Sequence, residues 1–244
     1  MTGADFAIDV GFDVRSDAGA GDPDTTSATL RRYHQLLWSK PLPDGTPFTL
    51  DTSSRRRYLH HASRRGEFFL ASDTCVPTYR SWTQMASIIE QCSTRELDEF
   101  QRLNHTIGGI LVFPGERRPG AQTLNQARGF ARAIGDRLDL TLECIRRSYA
   151  GEANPLDRTL AAYWDFFELF ESFEGYVDFF LLQDLVADDG SVQFLRNFDG
   201  FDASPLPRDM EDYREYRARS MAFLAARNRR IAAWDATRIR SADS

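Results

Sequence analysis

From Thr159 to Leu195 the chain carries no lysine or arginine, and its aromatic side chains crowd together there. Tyr163, Trp164, Phe166, Phe167, Leu169, Phe170 and Phe173 put apolar groups around nearly the whole circumference of a helix over 160–173. Such a helix belongs in the centre of a fold or at an interface. Gly175 is expected to break it, and Tyr176 to Val186 continues in the same character. The stretch also holds eight acids, Asp165, Glu168, Glu171, Glu174, Asp178, Asp184, Asp188 and Asp189. Between Arg208 and Arg240 the sign reverses, with nine arginines against five acids, none of them between Tyr216 and Trp234. Two such stretches either close on each other or present opposite fields to partners.

The basic stretch reads as an amphipathic helix with an apolar stripe of Tyr213, Tyr216, Phe223, Leu224, Ile231 and Trp234. Arg227 lies along that stripe. A guanidinium on a buried face is costly unless paired, so Arg227 should meet an acid, a carbonyl or a ligand, with Asp165, Glu168 and Asp178 as the natural acids.

At 244 residues and 42% hydrophobic, the chain has material for a substantial core. A net charge of −6 argues against a general nucleic-acid coat, since phosphate affinity comes from neutralising cations. Of 30 basic residues only Lys40 is lysine, so nearly every ion pair uses a planar guanidinium. Cys75, Cys92 and Cys144 are odd in number and widely spaced, which suggests neither a disulfide framework nor a zinc site. The start, with Asp5, Asp9 and Asp13, does not read as a secretory signal. No apolar run reaches the roughly 18 residues of a membrane span. A soluble, cytoplasmic protein is expected.

Residues 6–14 alternate imperfectly and read as a strand, and Ser27 is placed to cap a helix carrying Leu30, Tyr33, Leu36 and Leu37. Further strands are expected over 47–51, 57–61, 66–72, 106–113 and 192–198, with a helix over about 78–91. Leu138, Leu142, Ile145 and Tyr149 form the stripe of a core-facing helix. These elements give a helix-rich α+β fold: a small mixed sheet from a sheet-rich part, about 6–115, packed against a mainly helical part, about 124–240. No linker argues for two domains, so 1–244 is read as one.

Candidate chemistry is scattered. Asp9, Asp13, Asp17, Asp22 and Asp24 form an acidic loop that matches no EF-hand spacing, and no metal site is predicted. His60 and His61 close one strand and Asp73 leaves another, so a histidine–aspartate pair across neighbouring strand ends is a candidate general base. Alternatively His60 is packed and Asp73 caps the next helix. Arg117 and Arg118 follow the strand containing Gly108-Gly109, in a loop that matches no Walker A pattern but is a candidate to offer backbone N–H groups and two guanidiniums to a phosphate; a basic surface turn is the plainer reading. Arg128, Arg137 and Arg146 are candidates to converge on an anion with Asn125, and Arg227 is a further anion-binding candidate. Glu143 and Arg147 are spaced for an ordinary helical ion pair.

Several stretches resemble an uncharacterised, largely actinobacterial protein family. The resemblance is carried by Asp22-Pro-Asp24, Thr29 to Pro43, Tyr58-Leu-His-His61, Gly66 to Asp73, Ile107-Gly-Gly109, Val112 to Gly115, Asp136-Arg137, Leu140 to Arg147, Gly175 to Val186 and Arg227 to Ile231. It spans about residues 10–232 and implies no activity, cofactor or site residue.

Two functions are consistent with these features. One is a binding or regulatory protein that offers an Arg-rich or aromatic face to a protein or nucleic-acid partner, and the weakness of every catalytic spacing ranks it first. The other is an enzyme acting on an anionic, phosphate-bearing small molecule or nucleotide in a His/Asp/Arg pocket. The sequence specifies no cofactor and leaves homo-oligomerisation open.

Overall fold

A computed structural model describes residues 6–51 and 59–242. Two short strands, β1 (Lys40–Pro41) and β2 (Pro47–Phe48), form an antiparallel hairpin around the Pro43-Asp44-Gly45 turn. Asp44 Oδ1 accepts the Thr46 amide at 2.9 Å, and Gly45 takes the positive φ of 79°. The main sheet has the order β3 (Leu59–Ser63), β4 (Gly66–Thr74), β5 (Ile110–Pro114). Leu59 faces Leu70 across β3–β4, and Thr74 faces Ile110 across β4–β5. The helix-rich α+β class expected from sequence holds, with every pairing antiparallel rather than mixed. Residues 57 and 58 of the strand expected over 57–61 lie outside the described residues.

Ser27 does cap the helix Ala28–Trp38, accepting the Leu30 amide at 3.0 Å. Residues 6–14 form no strand. Their amides go to side chains and a distant carbonyl instead: Ile8 N to Asp235 Oδ2 at 2.8 Å, Asp9 N to Tyr33 Oη at 3.0 Å and Val14 N to His105 O at 3.0 Å. The helix expected over 78–91 shrinks to a turn, Thr83–Met85, and a helix, Ala86–Ile89. The carbonyls of Pro77 and Thr78 accept instead from the hydroxyls of Tyr216 and Tyr213, at 2.8 and 3.2 Å, and Tyr79 adopts a φ of 60°. Residues 192–198 contribute only a Val186–Val192 bridge, because Leu195 N is drawn to Asp139 Oδ2 at 2.9 Å.

The aromatic stretch is not one long helix. It is divided among Asp157–Ala162, Trp164–Phe167, the turn Glu168–Phe170 and Phe173–Phe179, with Glu171 at a φ of 63°. Gly175 lies inside the last helix rather than ending it. A Cβ there would sit 2.1 Å from Phe170 O, so its role is close approach. Phe166, Phe170, Tyr176, Phe179 and Phe180 are buried and pack ring on ring at the centre of a contiguous core, with Tyr176 and Phe180 centroids 4.8 Å apart.

The C-terminal helix, Met210–Ala242, lies over this core. Arg230 pairs with Asp184 at 2.9 Å, joining the basic helix to the acidic stretch. Arg227, fully buried, pairs with no acid among the described residues: Asp165 pairs with Arg118, and Asp178 accepts from Gln183. Arg227 reads carbonyls instead, those of Gly108 and Ile110 at 2.9 Å, Phe180 at 3.2 Å and Leu181 at 3.3 Å. The double glycine has its own cause, close approach of Asn228 and of the Asn104 backbone. Ile107–Gly109 is a 3-10 turn ahead of β5 rather than strand, and added Cβ atoms would lie 2.4 Å from Asn228 Oδ1 at Gly108 and 2.2 Å from Asn104 O at Gly109.

Candidate functional site

At the end of β4, Asp73 and Asp136 meet at one guanidinium, and Asp24 binds the neighbouring Ser72. Asp73 is the penultimate residue of β4. Asp24 comes from the short helix Pro23–Thr26 and accepts both the amide of Ser72, at 3.0 Å, and its hydroxyl. Asp136 follows Gly135, and both adopt positive φ, 55° at Gly135 and 62° at Asp136. Left-handed backbone is costly at a residue bearing a side chain and concentrates at functional turns.

Arg128 ties these groups together. It sits one turn after Asn125 on the helix Leu124–Phe130, whose start is set by a Thr123–Gln126 capping box. Its side chain is 0% exposed, stacked 4.8 Å from the Phe113 ring centroid. Nη1 donates to Asp73 Oδ2 at 3.0 Å, Nε to Thr141 Oγ1 at 3.0 Å, and Nη2 to the carbonyls of Thr74 and Asp136 at 3.2 and 3.1 Å. Asp136 Oδ1 lies 3.7 Å from Nη2 and accepts no hydrogen bond. Asn125 donates to Ser72 O at 3.2 Å, while its own Oδ1 is likewise buried without a donor.

Burial raises the proton affinity of all three carboxyls. At Asp73 it outweighs the pull of Arg128, Asp136 and Asp24 add like charge, and the carboxyl is pushed up to about 7. Burial also lifts Asp136 against Arg128, and Asp24 against its two hydrogen bonds from Ser72. The side chains of Asp73 and Asp136 remain 25% and 23% exposed, although Asp136 Oδ1 itself is buried. Such a site suits donors of hydrogen bonds and proton exchange near neutral pH. Among the described residues no group of three or more His, Cys, Asp or Glu is placed to hold a metal ion.

Of the residues singled out from sequence, Asp73 and Arg128 are brought together. His60 bonds Glu67 at 2.7 Å and stacks on Phe69. Its cross-strand partner Phe69 lies four residues before Asp73, roughly 13 Å along the strand. His61 is buried between Phe48 and Phe68 with Nδ1 3.0 Å from Thr49 O, and burial lowers its affinity for a proton. Arg137 is buried against Asp139, Pro205 O and the Tyr216 ring. Arg146 and Arg147 both hold Glu143, the second at the spacing foreseen. Arg117 stands exposed beside Arg118, which binds Asp165 and Ala162 O. Arg128, Arg137 and Arg146 thus each have a different carboxylate partner: Asp73, Asp139 and Glu143. Asp24, Ser72 and Asp136 were missed as site residues. The consecutive Gly135-Asp136, a pair suited to left-handed backbone, was the signal for Asp136.

The sequence model of a family of unknown function, DUF6994, matches residues 8–231. The chain belongs to that family. The match covers all the site residues named above, from Asp24 to Asp136, and also Arg227. No curated protein and no solved structure matches the chain.

Proposed function

We propose that this protein is an enzyme whose working groups are Asp73 and Asp136, exchanging a proton with a small molecule that presents hydrogen-bond donors, an amine or amide rather than a phosphate. The observation that supports this reading is the pair of partly exposed carboxyls on one buried guanidinium, both with proton affinity raised by burial, with the buried Asp136 Oδ1 left without a donor. Asp73 accepts or donates the proton, Asp136 is its electrostatic partner, and Arg128 holds both in place. Asp24, through Ser72, fixes the end of β4. A phosphate would meet three carboxyls first and is disfavoured. This ordering reverses the one suggested by the sequence alone, where the weakness of every catalytic spacing ranked a binding protein first and the enzyme alternative acted on an anionic molecule.

A test is a calorimetric panel of small amines, amides and phosphates against the native chain and the Asp73→Asn and Asp136→Asn variants. Heats from amines or amides that vanish in both variants support the reading. Phosphate binding that survives both variants overturns it.

One observation favours the alternative of a binding protein. Phe130 is 73% exposed and borders a groove of about 590 Å³ with Trp82, Pro205 and Leu206. The aromatic stretch 160–186, by contrast, has its rings in the core and offers little such face. If Phe130→Ser abolishes a partner interaction while leaving amine binding intact, the binding role gains.

A further inference from the structure

Lys40 is the single lysine among 30 basic residues, and its amine lies among three aromatic rings. Its Nζ lies 4.7 Å from the Phe179 ring centroid, 5.3 Å from that of Trp38 and 5.5 Å from that of Trp234. These rings come from the end of one helix, the end of another and the face of the long C-terminal helix. Among the described residues no ion pair or hydrogen bond is made by Nζ. Three aromatic faces attract a cation through their quadrupoles, yet they accept none of the three N–H bonds of an ammonium. Lys40 as a residue is partly exposed, while Trp38 and Phe179 behind its amine are buried.

We propose that Lys40 is a methylation site, and that the cage of Trp38, Phe179 and Trp234 is the seat of its methylated ammonium. A methylammonium keeps its positive charge, has fewer N–H donors to leave unmet and is weakly hydrated, so aromatic walls suit it better than they suit the parent ammonium. The reaction requires the neutral amine. Burial pushes Lys40 down to about 7, helped by the Arg227 guanidinium and opposed by the Asp178 carboxylate, so a large fraction carries a free lone pair near neutral pH. A guanidinium supplies no such lone pair at that pH. In the transfer, the Nζ lone pair attacks the methyl carbon of a methyl-sulfonium donor held by a methyltransferase. The N–C bond forms, the S–C bond breaks with its electron pair left on sulfur, the donor departs as a thioether, and the nitrogen is left a positively charged methylammonium; each further methylation first returns one N–H proton to solvent.

The experiment begins with the protein purified from its own cells and the mass of the peptide carrying Lys40. One to three methyl increments at that residue are expected, and an unmodified or acylated Lys40 overturns the proposal. Reductive dimethylation of recombinant protein then reads the cage directly, since the treatment reaches only Lys40 and the terminal amine. A rise in melting temperature of about 2–4 °C is expected, absent in Lys40→Arg, which reports the terminus alone, and reduced in Trp234→Leu. A fall in melting temperature on dimethylation of the native chain overturns the cage as a seat for the methylated form.

Discussion

Arg227 and Gly108 meet across 119 residues of sequence, the guanidinium donating to the Gly108 carbonyl at 2.9 Å. The next residue on the helix, Asn228, accepts the Gly108 amide at 2.8 Å and donates to Thr106 Oγ1 at 2.8 Å. Two adjacent side chains therefore satisfy both polar groups of one peptide position. Because Arg227 is buried without a carboxylate, its positive charge rests on carbonyl dipoles, and burial lowers its proton affinity.

Arg227→Met removes the charge but orphans the carbonyls of Gly108, Ile110, Phe180 and Leu181. A loss of about 3 kcal/mol is expected, read as a lower urea midpoint with an unchanged slope. Arg227→Lys should recover little of it, because one ammonium cannot reach the span that the planar fork covers. Equal stability of Arg227→Met and the native chain would contradict this account.

Gly109→Ala is expected to cost more than about 2 kcal/mol, since its Cβ would lie 2.2 Å from the Asn104 carbonyl oxygen and backbone must shift to admit it. Gly129→Ala, with nothing within 4 Å of the added carbon, serves as the comparison and should be close to neutral. Thermal unfolding of the two variants side by side checks the contrast.

Asp73 gives the protein a pH dependence of defined sign. Its carboxyl is raised from 3.8 to about 7 on folding, so the folded chain binds the proton more tightly than the unfolded one. The contribution is fully present below about pH 4 and is lost as pH rises through 7. Native protein should therefore lose stability relative to Asp73→Asn between pH 4 and 8. Parallel melting-temperature profiles for the two chains across that window would show that Asp73 is not raised.

Phe130→Ser should leave stability within about 0.5 kcal/mol, because a side chain 73% exposed has little burial to lose. Chemical denaturation measures it, and a loss above about 1 kcal/mol would mean that the ring is covered.

What was legible in the sequence follows a physical divide. Ser27 as a helix cap, Gly66 to Ser72 as a strand, Glu143 with Arg147 as a pair and the amphipathic stripe from Tyr213 to Trp234 all depend on local spacing, and local spacing is written in residue type. Asp73 at a strand exit was visible for the same reason. Arg227 was recognised as needing a partner, but its partners are carbonyls, which every residue carries and none advertises. The meeting of Asp24, Asp73 and Asp136 depends on how three separate segments fold together, which no local pattern encodes. The strand expected over 6–14 failed because Asp235 and Tyr33, far along the chain, took its amides.

The grip of the C-terminal helix on both Ile8 and the Ile107–Gly109 turn also fixes an order of events during synthesis. Ile8 waits for Asp235, 227 positions later, and the turn that leads into β5 waits for Arg227 and Asn228. A growing chain emerges from the ribosome with its sheet unfinished and a core of aromatic rings uncovered until its last helix arrives. A chain stopped before residue 227 would lack the Arg227, Asn228 and Asp235 contacts and leave the rings beneath that helix open to chaperones and proteases.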